Sequence, residues 1–262
     1  MHKDLSPVDT AKYVAAKRAV EFVQSGMKLG LGTGSTAAWM VRCLAARVQA
    51  EGLKVIGVPT SIRTAELARE LGLTIKTLEE AKWLDLTIDG ADEFDQDFNL
   101  IKGGGAALLQ EKIVAAASDQ MIVITDAAKE VANLGAFPLP VEVIRFGWTT
   151  TQVLIEEMLI GQDAFARDVT LRMGKDGPVL TDEGNYILDL HLKRIGHPRH
   201  LAMALNQIPG VVENGLFINL CDRVIIGHTD GRVVVRDNHD GSVKASKVAV
   251  SPLDNIFSDL GE

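Results

Sequence analysis

At 262 residues the chain is long enough to bury a sizeable core as one large domain or two modest ones, and its 47% hydrophobic and 24% charged residues exclude a disordered or fibrous protein. A formal net charge of -8, with no basic run interleaved with aromatics, argues against nucleic-acid binding through general electrostatics, so an anionic ligand must be held by local positive features. Cys43 and Cys221 lie far apart, outside any CxxC or Cys/His spacing, and suggest neither a disulfide framework nor a zinc site.

From Val8 to Gln24, Ala11, Val14, Ala15, Ala19, Phe22 and Val23 recur at helical spacing, with Ser6 or Asp9 able to cap the start. Lys12 lies in the first half of this helix, where by itself it reads as a solvated lysine. Met27 to Leu31 is a short apolar run leading into Gly32-Thr33-Gly34-Ser35-Thr36-Ala37 before a helix from Ala38 to Val48. Strand, glycine loop and helix start together form a candidate phosphate site. Gly32, Gly34 and Ala37 formally match GxGxxA, which raises a dinucleotide site. Against it, the next strand, Lys54 to Val58, ends in Pro59-Thr60-Ser61 with no acid to hold a ribose, and the loop lacks the lysine of a P-loop. The hydroxyls of Thr33, Ser35 and Thr36 beside backbone N–H groups suit a terminal phosphate monoester instead.

A helix from Ile62 to Leu71, a short strand near Leu73 to Ile75 and a buried strand from Leu84 to Ile88 continue the alternation. The last ends in Asp89-Gly90-Ala91-Asp92-Glu93. In an open parallel sheet ligands gather outside the carboxyl ends of strands, where both this acidic turn and the Gly32 to Thr36 loop fall. Two blander readings are a solvated turn and a divalent-metal site built from Asp89, Asp92, Asp95 or Asp97, although the spacing fits no EF-hand loop.

Lys102-Gly103-Gly104-Gly105-Ala106-Ala107-Leu108-Leu109-Gln110-Glu111-Lys112 is the stretch around which the functional reading is organised. Its glycines let backbone approach a ligand closely, and the helix that follows offers unpaired N–H groups and partial positive charge at its start. Glu111 projects back over the first turn, so a carboxylate faces an oxyanion pocket. Taken alone, the stretch reads more readily as a glycine loop before an amphipathic helix with a solvated glutamate, and it is the rest of the chain that reverses this. Met121 to Thr125 reads as another strand, and Lys129 lies just past its end. The alternation up to this point indicates a parallel sheet covered on both faces.

Phe137-Pro138-Leu139-Pro140-Val141-Glu142-Val143-Ile144 changes the regime, because two prolines precede an extended β-rich run. The expected organisation is a discontinuous α/β catalytic domain of residues 1–137 and 214–262, with a Rossmann-like parallel sheet, and a smaller α+β domain of residues 138–213 inserted before the C-terminal strands. Within the smaller domain the pattern predicts a helix from Thr150 to Ile160, strands at Val169 to Met173 and Tyr186 to Leu190, and a helix from Leu201 to Ile208. Leu216 to Leu220 and Val224 to Gly227 read as strands returning to the first sheet, followed by a hairpin of Val233 to Arg236 and Val243 to Val248. The six histidines form no HExxH or similar metal-ligand pattern. No basic-then-apolar signal segment and no apolar run of transmembrane length is present, so the cytoplasm is the expected location.

Four separated stretches, Gly32 to Thr36, Asp89 to Glu93, Lys102 to Ala107 with Glu111-Lys112, and Phe137 to Val143, together resemble ribose-5-phosphate isomerase of the A type. Ile208-Pro209-Gly210-Val211-Val212, Gly215-Leu216-Phe217 and Thr181-Asp182-Glu183-Gly184-Asn185 also fit, so the resemblance runs from about Val8 to Gly227. It implies a metal-free aldose-ketose isomerase without a cofactor, acting on ribose 5-phosphate and ribulose 5-phosphate in the pentose phosphate pathway. The usual assembly is a homodimer or homotetramer. The family's binding loops fall on Thr33, Gly34, Ser35 and Thr36, on Asp89, Gly90, Ala91 and Asp92, and on Lys102, Gly103, Gly104 and Gly105. Its proton acceptor falls on Glu111 and its further ligand lysines on Lys12 and Lys129.

This fits the chemistry of the residues. Moving a carbonyl between C1 and C2 needs one group to take a proton from one carbon and return it to the neighbour, which a single carboxylate, Glu111, can do through an enediolate. Lys102 and the N–H groups of Gly103 to Gly105 are candidates to stabilise that anion, Asp89 to help open the furanose and Asp92 to orient hydroxyls. One alternative is a non-catalytic sugar-phosphate sensor, against which stand Glu111 and the absence of a helix-turn-helix before Val8. Another is an amino-sugar-phosphate deaminase, which should carry a catalytic histidine near its acid, whereas no histidine lies between His2 and His191.

Overall fold

A computed structural model describes residues 5–250 as two compact units, one made of 5–90, 114–128 and 221–250 and the other of 91–113 and 129–220. The boundary expected at Phe137 thus lies inside the second unit, which also takes Ala91 to Ile113. The cause is strand pairing. Glu93–Phe94 and Leu100–Ile101 pair antiparallel with each other, and the latter pairs with Leu216–Phe217.

The first unit is built on a seven-stranded sheet. From one edge to the other it runs Val243–Lys247, Arg232–Asp237, Arg223–Gly227, Met121–Asp126, Leu86–Gly90, Lys28–Leu31 and Ile56–Pro59. The last five are mutually parallel, and the first two form an antiparallel hairpin added to the edge, as the sequence suggests. Lys28–Leu31 and Leu86–Gly90 are neighbours although the chain makes Ile56–Pro59 between them on the far side. Connections therefore leave these two strands in opposite directions, which makes their carboxyl ends the switch point where open α/β sheets take ligands. The loops that start at Gly32 and end at Gly90 are those two ends.

Helix Pro7–Val20 begins with Ser6, whose Oγ accepts from the Asp9 N–H at 3.1 Å, and buries Ala11, Val14, Ala15, Ala16, Ala19 and Val20. Its alanine-rich face permits close approach. A Cβ on Gly227 would come within 1.9 Å of the Ala11 carbonyl oxygen, so only glycine fits there. Helix Ser35–Glu51 starts at Gly34 and ends at Gly52 in the left-handed conformation. The core of this unit joins Tyr13, Val14, Leu29, Leu31, Trp39, Met40, Leu44, Ile88, Ile122, Ile124 and Ile225.

The second unit is centred on a four-stranded antiparallel sheet ordered Val211–Asn214, Leu139–Val143, Tyr186–His191 and Asp168–Leu171. Helices Trp148–Leu159 and Pro198–Leu205 contribute Ile155, Leu159, Leu201 and Leu205 to a core with Val141, Val143, Leu188 and Leu190. The α+β character read from the sequence is present.

Three local expectations change. Leu216–Phe217 pairs in the three-stranded sheet of the second unit rather than in the first sheet, and the run stops before Asn219, which adopts φ +57. Near Leu73 to Ile75 only the single bridge Gly57–Ile75 forms, because the capping box of Thr77 and Glu80 turns the chain into a helix directly afterwards. The helix expected from Leu201 begins earlier, with Pro198 at its first position, and ends at Leu205.

Candidate active site

In the first unit the Gly32 to Thr36 loop is held from three sides. The Gly32 N–H donates to the Ile88 carbonyl at 3.0 Å, and the Thr33 N–H donates to Asp89 Oδ1 at 3.1 Å. Asp89 Oδ1 also accepts from the Gly90 N–H at 2.7 Å, so this buried carboxylate is oriented by the backbone around it. The packing excludes any larger residue at Gly32, where a Cβ would lie 2.1 Å from Asp89 Oδ1 and 2.6 Å from its Cα. Thr33 Oγ1 sits 2.8 Å from Thr60 Oγ1 and from Ser61 Oγ, and Thr64 Oγ1 donates to the Gly32 carbonyl at 3.0 Å. Hydroxyls of the Pro59-Thr60-Ser61 turn thus shape the loop, a contact between segments too far apart in the chain for any local motif to mark.

Ser35 and Thr36 form the first turn of helix Ser35–Glu51, where N–H groups lack intrahelical partners and the dipole is positive. Lys12 Nζ donates to Ser35 Oγ at 3.0 Å, which brings an ammonium from helix Pro7–Val20 to this helix start. Backbone donors, hydroxyls and one cation converge, a donor set that suits a phosphate dianion.

In the second unit Lys102 Nζ lies 3.2 Å from Glu111 Oε2, and both side chains are buried. Lys102 is placed by its own N–H, which donates to the Gly215 carbonyl at 2.9 Å, and its Nζ lies 5.3 Å from the centroid of the Phe217 ring. Lys112 Nζ lies 5.0 Å from the same centroid. Phe217 therefore gives two neighbouring ammonium groups a π surface. Lys112 donates to Glu213 Oε1 at 3.0 Å and the Asn214 carbonyl at 2.6 Å, and burial holds its ammonium below the usual lysine range against the opposing pull of Glu213. Gln110 donates to Glu183, so residues on either side of Glu111 are anchored.

Asp92 Oδ2 accepts from the Gly104 N–H at 2.8 Å, so one of the three glycine N–H groups expected to face an anion is engaged within the protein. Ala91 precedes it, partly buried, in the same unit. Lys129 ends the short 3-10 turn Ala127–Lys129, with its Nζ 6.0 Å from the Phe137 ring centroid. Arg172, which no local sequence signal marks, reaches the same glycine loop. Arg172 donates to the carbonyls of Gly103 and Gly104 while its guanidinium is bound by Asp189. Among the described residues no group of three or more His, Cys, Asp or Glu is placed to hold a metal ion, and Asp95 instead accepts from the N–H groups of Asp97 and Asn99. No helix among them is long and apolar enough to cross a membrane.

Residues 56–231 match the family model described as ribose 5-phosphate isomerase A (phosphoriboisomerase A). The chain belongs to this family. It is an isomerase, as the family's name states. A ribose-5-phosphate isomerase A of Cereibacter sphaeroides is 71% identical over 262 residues, all of both chains. Among solved structures, ribose 5-phosphate isomerase A of Methanocaldococcus jannaschii is 38% identical with a TM-score of 0.79, covering 93% of this chain and 100% of that one. A D-ribose-5-phosphate isomerase in complex with phospho-erythronic acid is 40% identical, also with a TM-score of 0.79, over 92% of this chain and 99% of that one. The fold of these solved structures is thus shared along nearly the whole chain.

Proposed function

We propose that the chain interconverts D-ribose 5-phosphate and D-ribulose 5-phosphate through an enediolate, with Glu111 as the general base. The observation that carries this is the buried Lys102–Glu111 pair, a carboxylate and an ammonium 3.2 Å apart beside a glycine loop. Glu111 takes the C2 proton of the open aldose, the C–H electrons form the C1–C2 double bond, and the carbonyl pair moves to O1. The same carboxyl then returns a proton to C1, while the O2 proton passes to O1, leaving the ketose. No group is consumed. Lys102 stabilises the negative oxygen of the enediolate, where an ammonium out of bulk water acts at low dielectric.

Asp89 assists ring opening and Asp92 orients sugar hydroxyls. Thr33, Gly34, Ser35 and Thr36 with Lys12 take the phosphate, and Lys129 assists as a further cation. Phospho-erythronic acid, the ligand of one relative, has a phosphate at one end and a carboxylate at the other. That pairing of anions supports a phosphate site combined with an enediolate site. The same reading carries a place in the pentose phosphate pathway, a cytoplasmic location and a homodimeric or homotetrameric assembly, which light scattering of the purified chain would test.

The decisive experiment follows ketose formation from ribose 5-phosphate by EDTA-treated protein. Turnover is the expected result, and sugar-phosphate binding without turnover would convert the reading to a sensor.

A further inference from the structure

The glycine loop is held by charge from two sides. The peptide joining Gly103 to Gly104 has its carbonyl on Arg172 Nη1 at 2.8 Å and its N–H on Asp92 Oδ2 at 2.8 Å. Because a trans peptide is planar with its C=O and N–H opposed, these two contacts fix which way the plane faces. The next carbonyl, of Gly104, lies 3.3 Å from the same Arg172 nitrogen. Its partner across that peptide, the Gly105 N–H, makes no hydrogen bond among the described residues.

Arg172 is itself immobilised. Its Nε donates to Asp189 Oδ2 at 2.9 Å and its Nη2 to Asp189 Oδ1 at 2.5 Å, a two-point clamp between mostly buried side chains. A second observation points the same way. Ala106, which follows the glycines, adopts φ +59, a left-handed conformation unfavourable for a residue with a Cβ. The Gly103 carbonyl accepts from the Ala106 N–H at 3.0 Å as well as from Arg172, so the guanidinium holds one end of the strained turn.

From this geometry we infer that Arg172, clamped by Asp189, is a positioning residue for the isomerisation: it turns the Gly103 to Gly105 peptides so that the Gly105 N–H is left as a donor for the enediolate oxygen. The inference rests on the reading of Lys102 and Glu111 given above. It divides the loop's three N–H groups by task, with Gly104 serving Asp92 and Gly105 the anion. Arg172 touches no substrate in this account. A lysine in its place carries the charge but lacks the planar fork that takes both Asp189 oxygens while reaching the two carbonyls.

The test uses full-length Arg172→Lys, Arg172→Gln and Asp189→Asn, the last two variants guarding against one that fails to fold. Expected is a fall in kcat of about 10- to 100-fold with KM within about 3-fold, since a donor aimed at developing charge acts on the transition state. Inhibition by phospho-erythronic acid should weaken in step with kcat, while inorganic phosphate competes as well as in the parent. A folded Arg172→Gln with kcat within about 2-fold of the parent overturns the inference, and so does a change in KM alone. Turnover by the parent that survives these substitutions removes Arg172 from the mechanism and leaves the proposed function standing. No turnover by the parent removes both.

Discussion

Lys102 and Glu111 form an ion pair with 2% and 4% of their side chains exposed. Two charges withdrawn from water to this degree are held together only when each offsets the desolvation of the other. Lys102→Met should therefore lower unfolding stability by about 3–5 kcal/mol, the range for breaking a buried pair at one end. Adding Glu111→Gln should restore part of that loss. A double-mutant cycle by denaturant unfolding measures the coupling, and additive effects would show that the pair does not interact.

Glu111→Gln keeps the shape of the side chain and removes its capacity to accept a proton. Turnover should fall by at least the roughly 10²- to 10⁴-fold typical of a general base, with ribose 5-phosphate still bound. Isothermal titration beside steady-state kinetics separates the two effects, and kcat within a few-fold of the parent would assign the base elsewhere.

Ser35→Ala combined with Thr36→Ala removes two hydroxyls from the helix start that receives Lys12. Affinity for phosphorylated sugar should drop about 10- to 100-fold, at about 1.4 kcal/mol for each tenfold step, and affinity for free ribose should scarcely move. Equal losses for the two sugars would refute a phosphate role.

Gly32→Ala places a methyl group against the Asp89 carboxylate and backbone. Overpacking of this kind costs about 1–3 kcal/mol, and relief requires Asp89 to leave the Thr33 and Gly90 N–H groups. Loss of activity with a lowered melting temperature is expected. An unchanged kcat would mean that Asp89 need not keep this orientation.

Glu142 supplies a pH prediction. Burial pushes its carboxyl above the ordinary 4.5, opposed by hydrogen bonds from Asn185 and Thr181 and reinforced by repulsion from Glu183 and Asp182. Between the unfolded and folded pKa values the native state holds a proton that the unfolded chain has released. Stability from this group is therefore complete below 4.5 and lost as pH rises through the raised value. Melting temperatures from about pH 4 to about pH 8 should fall more steeply for the parent than for Glu142→Gln, which cannot ionise. Parallel curves would count against the assignment.

The parallel sheet, and the glycine loop leading into helix Ser35–Glu51 that is proposed to take the phosphate, are legible because they rest on local signals: apolar runs of strand length, glycines before a helix, and hydroxyls at its first turn. Glu111 was readable because helical periodicity places it behind that kind of start. Arg172 and Asp189 carried no such signal, since the carbonyls that Arg172 binds lie far away in the chain and nothing near Leu171-Arg172-Met173 marks a loop partner. Two-residue strands such as Leu216–Phe217 are too short to display a period. The sequence therefore suggested their β character but not the sheet they join. The unit boundary moved for the same reason, because pairing of short strands assigned Ala91 to Ile113 to the second unit.

The missing side chain at Gly227 reaches further than its neighbours suggest. Because Ala11 rests directly on that bare backbone, the next residue, Lys12, is brought to the distance at which it meets Ser35. The reach of the ammonium is thus gauged by a strand encoded near the opposite end of the chain. Any side chain at 227 would act as a spacer beneath the first helix, drawing Lys12 away from Ser35 without altering either residue.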